Sequence, residues 1–207
     1  MKVYRIHIAL VAKERHLIES LLPEERLKKA ASYRLAEDQL RSLGAGYLLW
    51  RYTSDIPITY GIHGKPEKEG ECFNLSHAGD YAVLVVDDVP VGIDLERYRT
   101  GLKAWKKKAF SPEEKREIHQ ETDFFLRWTR KESVGKANGI GLSKGPLALP
   151  SNDGINHFAG KTYMTHSLEE GDYFLSVSHE GNEDFEIKIE DVTDIVPYRF
   201  RCLDNKT

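Results

Sequence analysis

The chain has 207 residues, 40% apolar and 30% charged, with a formal net charge of −3. That is enough apolar material for a buried core, in one large domain or two small ones. The mildly acidic balance argues against a general nucleic-acid binder, because neutralising phosphates takes an excess of Lys and Arg. Cys72 and Cys202 lie far apart and form no CxxC, so neither a disulfide framework nor a zinc site is expected. Arg5 and His7 interrupt the only N-terminal apolar stretch, which removes the signal-peptide reading. No apolar run approaches the roughly 20 residues of a membrane span. The composition predicts a cytoplasmic protein with reduced thiols.

Alternation opens the chain, with Tyr4, Ile6, Ile8 and Leu10 on one face, and predicts a strand. Pro23-Glu24-Glu25 then starts a long helical pattern through Leu27, Ala30, Leu35, Leu40, Leu43 and Leu48. Proline and acids both suit the first turn of a helix. A turn-rich stretch, Gly61 to Pro66, precedes FNLSHAGDYAVLVV (Phe73 to Val86), which reads as strand, turn and strand.

From Val91 the pattern runs again. Ser111-Pro112-Glu113-Glu114 echoes Pro23-Glu24-Glu25, and Leu126-Arg127 echoes Leu40-Arg41. The pair Ser178-His179 echoes Ser76-His77. Three fragments in the same order predict an α/β (α+β) fold built as two similar subdomains. The boundary falls near Pro90, giving an N-terminal half over 1–90 and a C-terminal half over 91–207. Such a duplication packs about a pseudo-twofold axis and leaves a cleft between halves, where ligands favour binding.

Three motifs can carry chemistry. In VGIDLER (Val91 to Arg97), Asp94 and Glu96 are two apart, so in a strand both carboxylates project to one side. Adjacent buried acids are costly without a counter-charge. A hard cation such as Mg²⁺ is the natural one, and a solvated strand edge is the plainer alternative. In LRWTRKESVGKANGIG, Glu132 and Lys136 share a helix face at i, i+4, and Asn138-Gly139 ends the helix. An ordinary surface ion pair would also account for that spacing. In Asn74-Leu75-Ser76-His77-Ala78-Gly79, a tight polar turn can hold phosphate. No acid stands at a spacing that would make Ser76 and His77 a hydrolase triad, and no GxxxxGK[ST] loop is present. His179 reads as structural.

Taken jointly, FNLSHAGDYAV, VGIDLER and LRWTRKESVGKANGIGL resemble the signature set of the Sfp-type 4′-phosphopantetheinyl transferases, in the family's order. The resemblance runs from Pro23 to about Leu142 and fades after Ser143. It implies the family's two-half, pseudodimeric fold and its reaction. That reaction moves the phosphopantetheine arm of coenzyme A to a serine of an acyl or peptidyl carrier protein and releases adenosine 3′,5′-bisphosphate.

Carried over residue by residue, the resemblance implies that Asp94, Glu96 and Glu132 bind Mg²⁺ or Mn²⁺ and that Glu132 and Lys136 are catalytic. It implies further that Ser76, His77, Lys65, Lys28, Arg41, Ser42 and Lys136 hold coenzyme A. The basic run Lys106, Lys107 and Lys108 gains a docking role for an acidic carrier protein, with the transferase acting as a monomer. Glu25 departs from the family, standing where relatives tend to carry a Lys near the adenosine phosphate. Two other readings stay open: a catalytically silent coenzyme A or carrier-binding module, and a different Mg²⁺-dependent pyrophosphate enzyme.

Overall fold

The computed structural model describes residues 1–55, 57–61, 65–100, 109–141 and 145–199. Its elements run β1 (Lys2–His7), α1 (Ile8–Lys13), α2 (Arg15–Leu21), α3 (Glu24–Ala31), α4 (Ala36–Tyr52), β2 (Thr59–Tyr60), β3 (Pro66–Glu67), β4 (Cys72–Ala78), β5 (Tyr81–Asp87) and β6 (Val91–Arg97). They continue through α5 (Pro112–Arg116), α6 (Glu121–Asn138), β7 (Gly154–Phe158), β8 (Lys161–Glu170), β9 (Tyr173–Glu180) and β10 (Lys188–Val192). The fold is α+β, with two four-stranded sheets in the orders β10-β1-β5-β4 and β6-β9-β8-β7. β2 and β3 form a separate two-stranded ribbon.

Strand alternation assigns each sheet two jobs. In β1, Tyr4 and Ile6 face the layer built from α1, α2 and α4. Val3 joins Val83 and Val85 in packing against Val91, Ile93 and Leu95 of β6 and against Leu175 and Val177 of β9. This apolar layer lies between the two sheets. The other face of the second sheet receives α6, through Phe124, Phe125, Trp128 and Phe174. Each sheet thus carries one long helix on its outer face, an arrangement compatible with a duplicated unit. β10, late in the chain, pairs parallel with β1 and completes the first sheet.

Three local expectations change. The opening strand ends at His7 rather than Leu10, because the His7 Nδ1 accepts from the Ala9 amide at 2.9 Å and caps α1. The long helical pattern from Pro23 is two helices, with 32–35 between them. The Ser-His echo does not fall on corresponding strands. β4, with Ser76 and His77, is an edge strand of its sheet, whereas β9, with Ser178 and His179, pairs on both sides. The other two echoes do correspond, since α3 and α5 each precede a long helix carrying the Leu-Arg pair. Among the described residues, no helix is long and apolar enough to cross a membrane.

Candidate active site

The site begins with a close approach of backbones. A Cβ added at Gly92 would collide with the Ser133 carbonyl and the Ala137 amide, so α6 lies directly on β6 there. Small hydroxyls extend the same fit: Thr129 bonds Ser176 at 2.7 Å and Ser133 bonds Ser178 at 2.6 Å, all buried. α6 has defined ends, a capping box of Gln120 and Asp123 and a left-handed Gly139 cap at φ +87°. The helix register against β6 is therefore tightly held.

That register delivers Lys136 to Asp94. Its ammonium lies 2.7 Å from Asp94 Oδ1, donates to the Ile93 carbonyl at 3.0 Å and reaches Ser76 Oγ at 3.3 Å. Ser76 Oγ donates to the same Asp94 oxygen at 3.1 Å and accepts from the Leu95 amide. Asn74, two residues earlier on the same face of β4, accepts from the Ile93 amide. Strands β4 and β6 are joined here by side chains rather than by a backbone ladder. Asp94 is only 6% exposed, and its Oδ2 is buried without a hydrogen-bond partner among the described residues.

Glu96 projects from the same side of β6 as Asp94. The Trp128 indole donates to its Oε1 at 3.2 Å, and Arg99 stands 3.6 Å from its other oxygen. Glu132, Lys136, Asp94, Glu96, Ser76, His77 and Arg41 all line one open cleft of about 700 Å³. Arg41, at the start of α4, donates to the Gly79 carbonyl and pairs with Asp38 at 2.7 Å. His77 sits exposed at the rim. Desolvation by the surrounding walls, together with Arg41 and Lys136, pushes its imidazole below the ordinary value.

Among the described residues, no three His, Cys, Asp or Glu side chains cluster closely enough to enclose a metal ion. The residues still fit a hard cation by chemistry. Asp94, Glu96 and Glu132 line one cleft, and Asp94, the innermost, keeps an oxygen with no donor among the described residues. Lys136 is the counter-charge of Asp94 in this arrangement, so a cation at Asp94 would share or displace that contact.

Residues 90–190, from just before β6 to β10, match the model of the 4′-phosphopantetheinyl transferase superfamily. A relative from Bacillus pumilus, the 4′-phosphopantetheinyl transferase psf-1, is 42% identical over 82% of this chain and 86% of its own length. The chain belongs to this superfamily. A Bacillus subtilis 4′-phosphopantetheinyl transferase is 33% identical over 69% of the chain and 72% of its own length. A protein of Synechocystis sp., described as a putative 4′-phosphopantetheinyl transferase, is 26% identical across 90% of the chain. The chain is a transferase that moves phosphopantetheine to carrier proteins.

Not every residue implied by the resemblance reaches the cleft. Lys28 is exposed on α3 and pairs with Glu24 at 2.7 Å. Ser42 is buried within α4, where its carbonyl accepts from Arg26. Lys65 turns its amine to the carbonyls of Lys136 at 2.8 Å and Val91 at 3.3 Å, tying the β2–β3 ribbon to the α6 seam. None of the three lines the cleft. Lys106, Lys107 and Lys108 lie outside the described residues.

Other residues carry roles that motif spacing did not reveal. Lys131, next to Glu132, is 0% exposed. It pairs with Glu114 at 2.8 Å and donates to the carbonyls of Pro146 and Leu149. Burial lowers its ammonium below the ordinary Lys range even with that partner. Trp128 orients Glu96, and Asn74 joins β4 to β6. Asn74 had a visible signal, a second polar residue at the same parity as Ser76, opposite Phe73 and Leu75.

Proposed function

We propose that the chain transfers the 4′-phosphopantetheine arm from coenzyme A to a serine of an acyl or peptidyl carrier protein, with Mg²⁺ held by Asp94, Glu96 and Glu132. The observation that carries this assignment is the Asp94–Lys136 contact in a cleft that Glu96 and Glu132 also line. Mg²⁺ would supply charge neutralisation for the diphosphate, and Mn²⁺ has the same oxygen preference.

The chain's own residues then divide the work. Arg41, Ser76 and His77 hold phosphate oxygens along one wall, in a cleft that already carries their donors. Lys136 balances the charge that develops on the leaving phosphate, which is where phosphoryl transfer needs most help. Glu132 accepts the serine proton. The serine oxygen bonds to the β-phosphorus, the bond from that phosphorus to the bridging oxygen breaks, and its electron pair leaves with adenosine 3′,5′-bisphosphate. The N-terminal half, 1–90, supplies the coenzyme A side and the C-terminal half, 91–207, the carboxylates. An acidic carrier would approach a monomeric, cytoplasmic transferase by way of Lys106 to Lys108.

The direct test is intact mass spectrometry of an apo carrier incubated with the protein, coenzyme A and Mg²⁺, beside an EDTA control. The expected result is a gain of one phosphopantetheine that EDTA abolishes. No gain across unrelated carriers, with coenzyme A still bound, would instead make the chain a silent binding module.

A further inference from the structure

A second cavity, of about 470 Å³, lies in the first half of the molecule and shares no lining residue with the cleft. Its walls come from the α2–α3 junction, the C-terminal half of α4, and Ser54, Asp55, Pro57, Ile58 and Lys68. The size falls in the ordinary range of small-molecule sites. Leu22, Leu49, Trp50 and Ile58 give it an apolar lining. The Arg199 guanidinium stacks 5.1 Å above the Trp50 ring at one edge and pairs with Asp55 at 2.6 Å.

The cavity also holds two buried cations without carboxylate partners among the described residues. Arg26 is 6% exposed; among the described residues its Nε has no hydrogen-bond partner, and its Nη2 donates to the Ser42 carbonyl at 3.2 Å. Lys68 is 9% exposed and donates to two neutral oxygens, Thr53 Oγ1 at 2.6 Å and the Ser54 carbonyl. The nearby Glu71 directs its carboxylate to the amide and hydroxyl of Ser54 instead. Burial pushes the Lys68 ammonium below its ordinary value. Such charges are costly to bury unpaired. The C-terminal half shows the paired solution, in Lys131 with Glu114.

The lining carries three cations (Arg26, Lys68, Arg199) against two acids (Glu25, Asp55), a net charge of one positive. We infer that this cavity is a second ligand site, taking a small amphiphile with an apolar tail and a single carboxylate seated between Arg26 and Lys68. A monoanion matches the excess charge, whereas the several phosphate charges of a nucleotide overfill it.

Calorimetric titration of the full-length protein with octanoate, alongside octanol and octylammonium, tests the assignment. Octanoate is expected to bind saturably at one per chain, with octanol at least about tenfold weaker and octylammonium not bound. Lys68→Met and Arg26→Gln should each weaken octanoate about tenfold. If Arg26→Gln fails to fold, the Lys68→Met arm decides. Three results overturn the inference: no saturable octanoate binding, equal binding of octanol, or octanoate displaced competitively by coenzyme A. The last would make the cavity an extension of the cleft.

Discussion

The two walls of the cleft are built on opposite principles. The β6–α6 wall is a seam closed at Gly92, where backbone meets backbone, and Asp94 Oδ1 there is engaged by both Lys136 and Ser76. The facing wall, from α4 and the C-terminal end of β4, carries Arg41 and His77 at an open rim. Charges that must be held to a fraction of an ångström gain from a scaffold that cannot shift. Groups that greet a mobile, multiply charged cofactor can be placed more loosely, because the ligand completes their environment. The seam is thus expected to answer mutation with loss of stability or turnover, and the rim with changes in affinity.

Gly92→Ala is the severest way to break this contrast. Its new methyl has no space beside α6, and a cost of about 3 kcal/mol or more is expected, since neither backbone can yield without moving the helix. Chemical denaturation measures it, and a stability near that of the parent protein would mean the seam is not rigid.

Glu132→Gln should leave the fold intact and lower turnover by roughly 10²–10³-fold, the range for loss of a preorganised charge stabiliser. Single-turnover kinetics with saturating coenzyme A and carrier would show it. Near-normal turnover would strip Glu132 of its assigned role.

Trp128→Phe keeps the ring packing against Phe124 but removes the indole donor from Glu96. A single hydrogen bond to a charged group predicts a loss of about 2 kcal/mol, or roughly thirtyfold, in kcat/KM. That loss should coincide with a higher Mg²⁺ requirement, and an unchanged requirement would confine Trp128 to packing.

The smallest effect belongs to the rim. His77 is pushed below its ordinary value in the free protein, so it is largely neutral at neutral pH. A bound phosphate would raise it again, and the complex would take up a proton. Coenzyme A affinity is therefore expected to strengthen a few-fold as pH falls through about 6.5, and His77→Ala should flatten that slope. Titration calorimetry in two buffers of different ionisation enthalpy reads the proton uptake directly. The same depressed imidazole acts oppositely on folding. Below about 6.5 the unfolded chain binds the proton more readily, so this group's contribution favours the unfolded state as pH falls.

The motif LRWTRKE shows how far one-dimensional reasoning reaches. Its spacing put Glu132 and Lys136 on one helical face, and both line the cleft. Lys131 and Lys136 are alike as letters, yet one is sealed against Glu114 and the other meets Asp94. The motif could not distinguish them, because burial depends on what packs against each side of the helix. Lys28 and Lys65 make the same point in reverse. Both are cations that the resemblance assigned to coenzyme A, but one pairs within its own helix and the other ties two segments of backbone together.

Local periodicity, turn chemistry and motif order were enough to determine the α+β class, the strand parity of Asp94 and Glu96, the helix stop at Gly139 and the transferase family. Those features depend on residues close in sequence, where steric preference and side-chain direction are set by the backbone itself. The return of β10 to the first sheet, the different strand environments of the two Ser-His pairs, the Trp128–Glu96 contact and the unpaired cations of the second cavity were decided only by the tertiary structure. Each joins segments distant in sequence, and desolvation and charge pairing there take their value from neighbours the local sequence does not name.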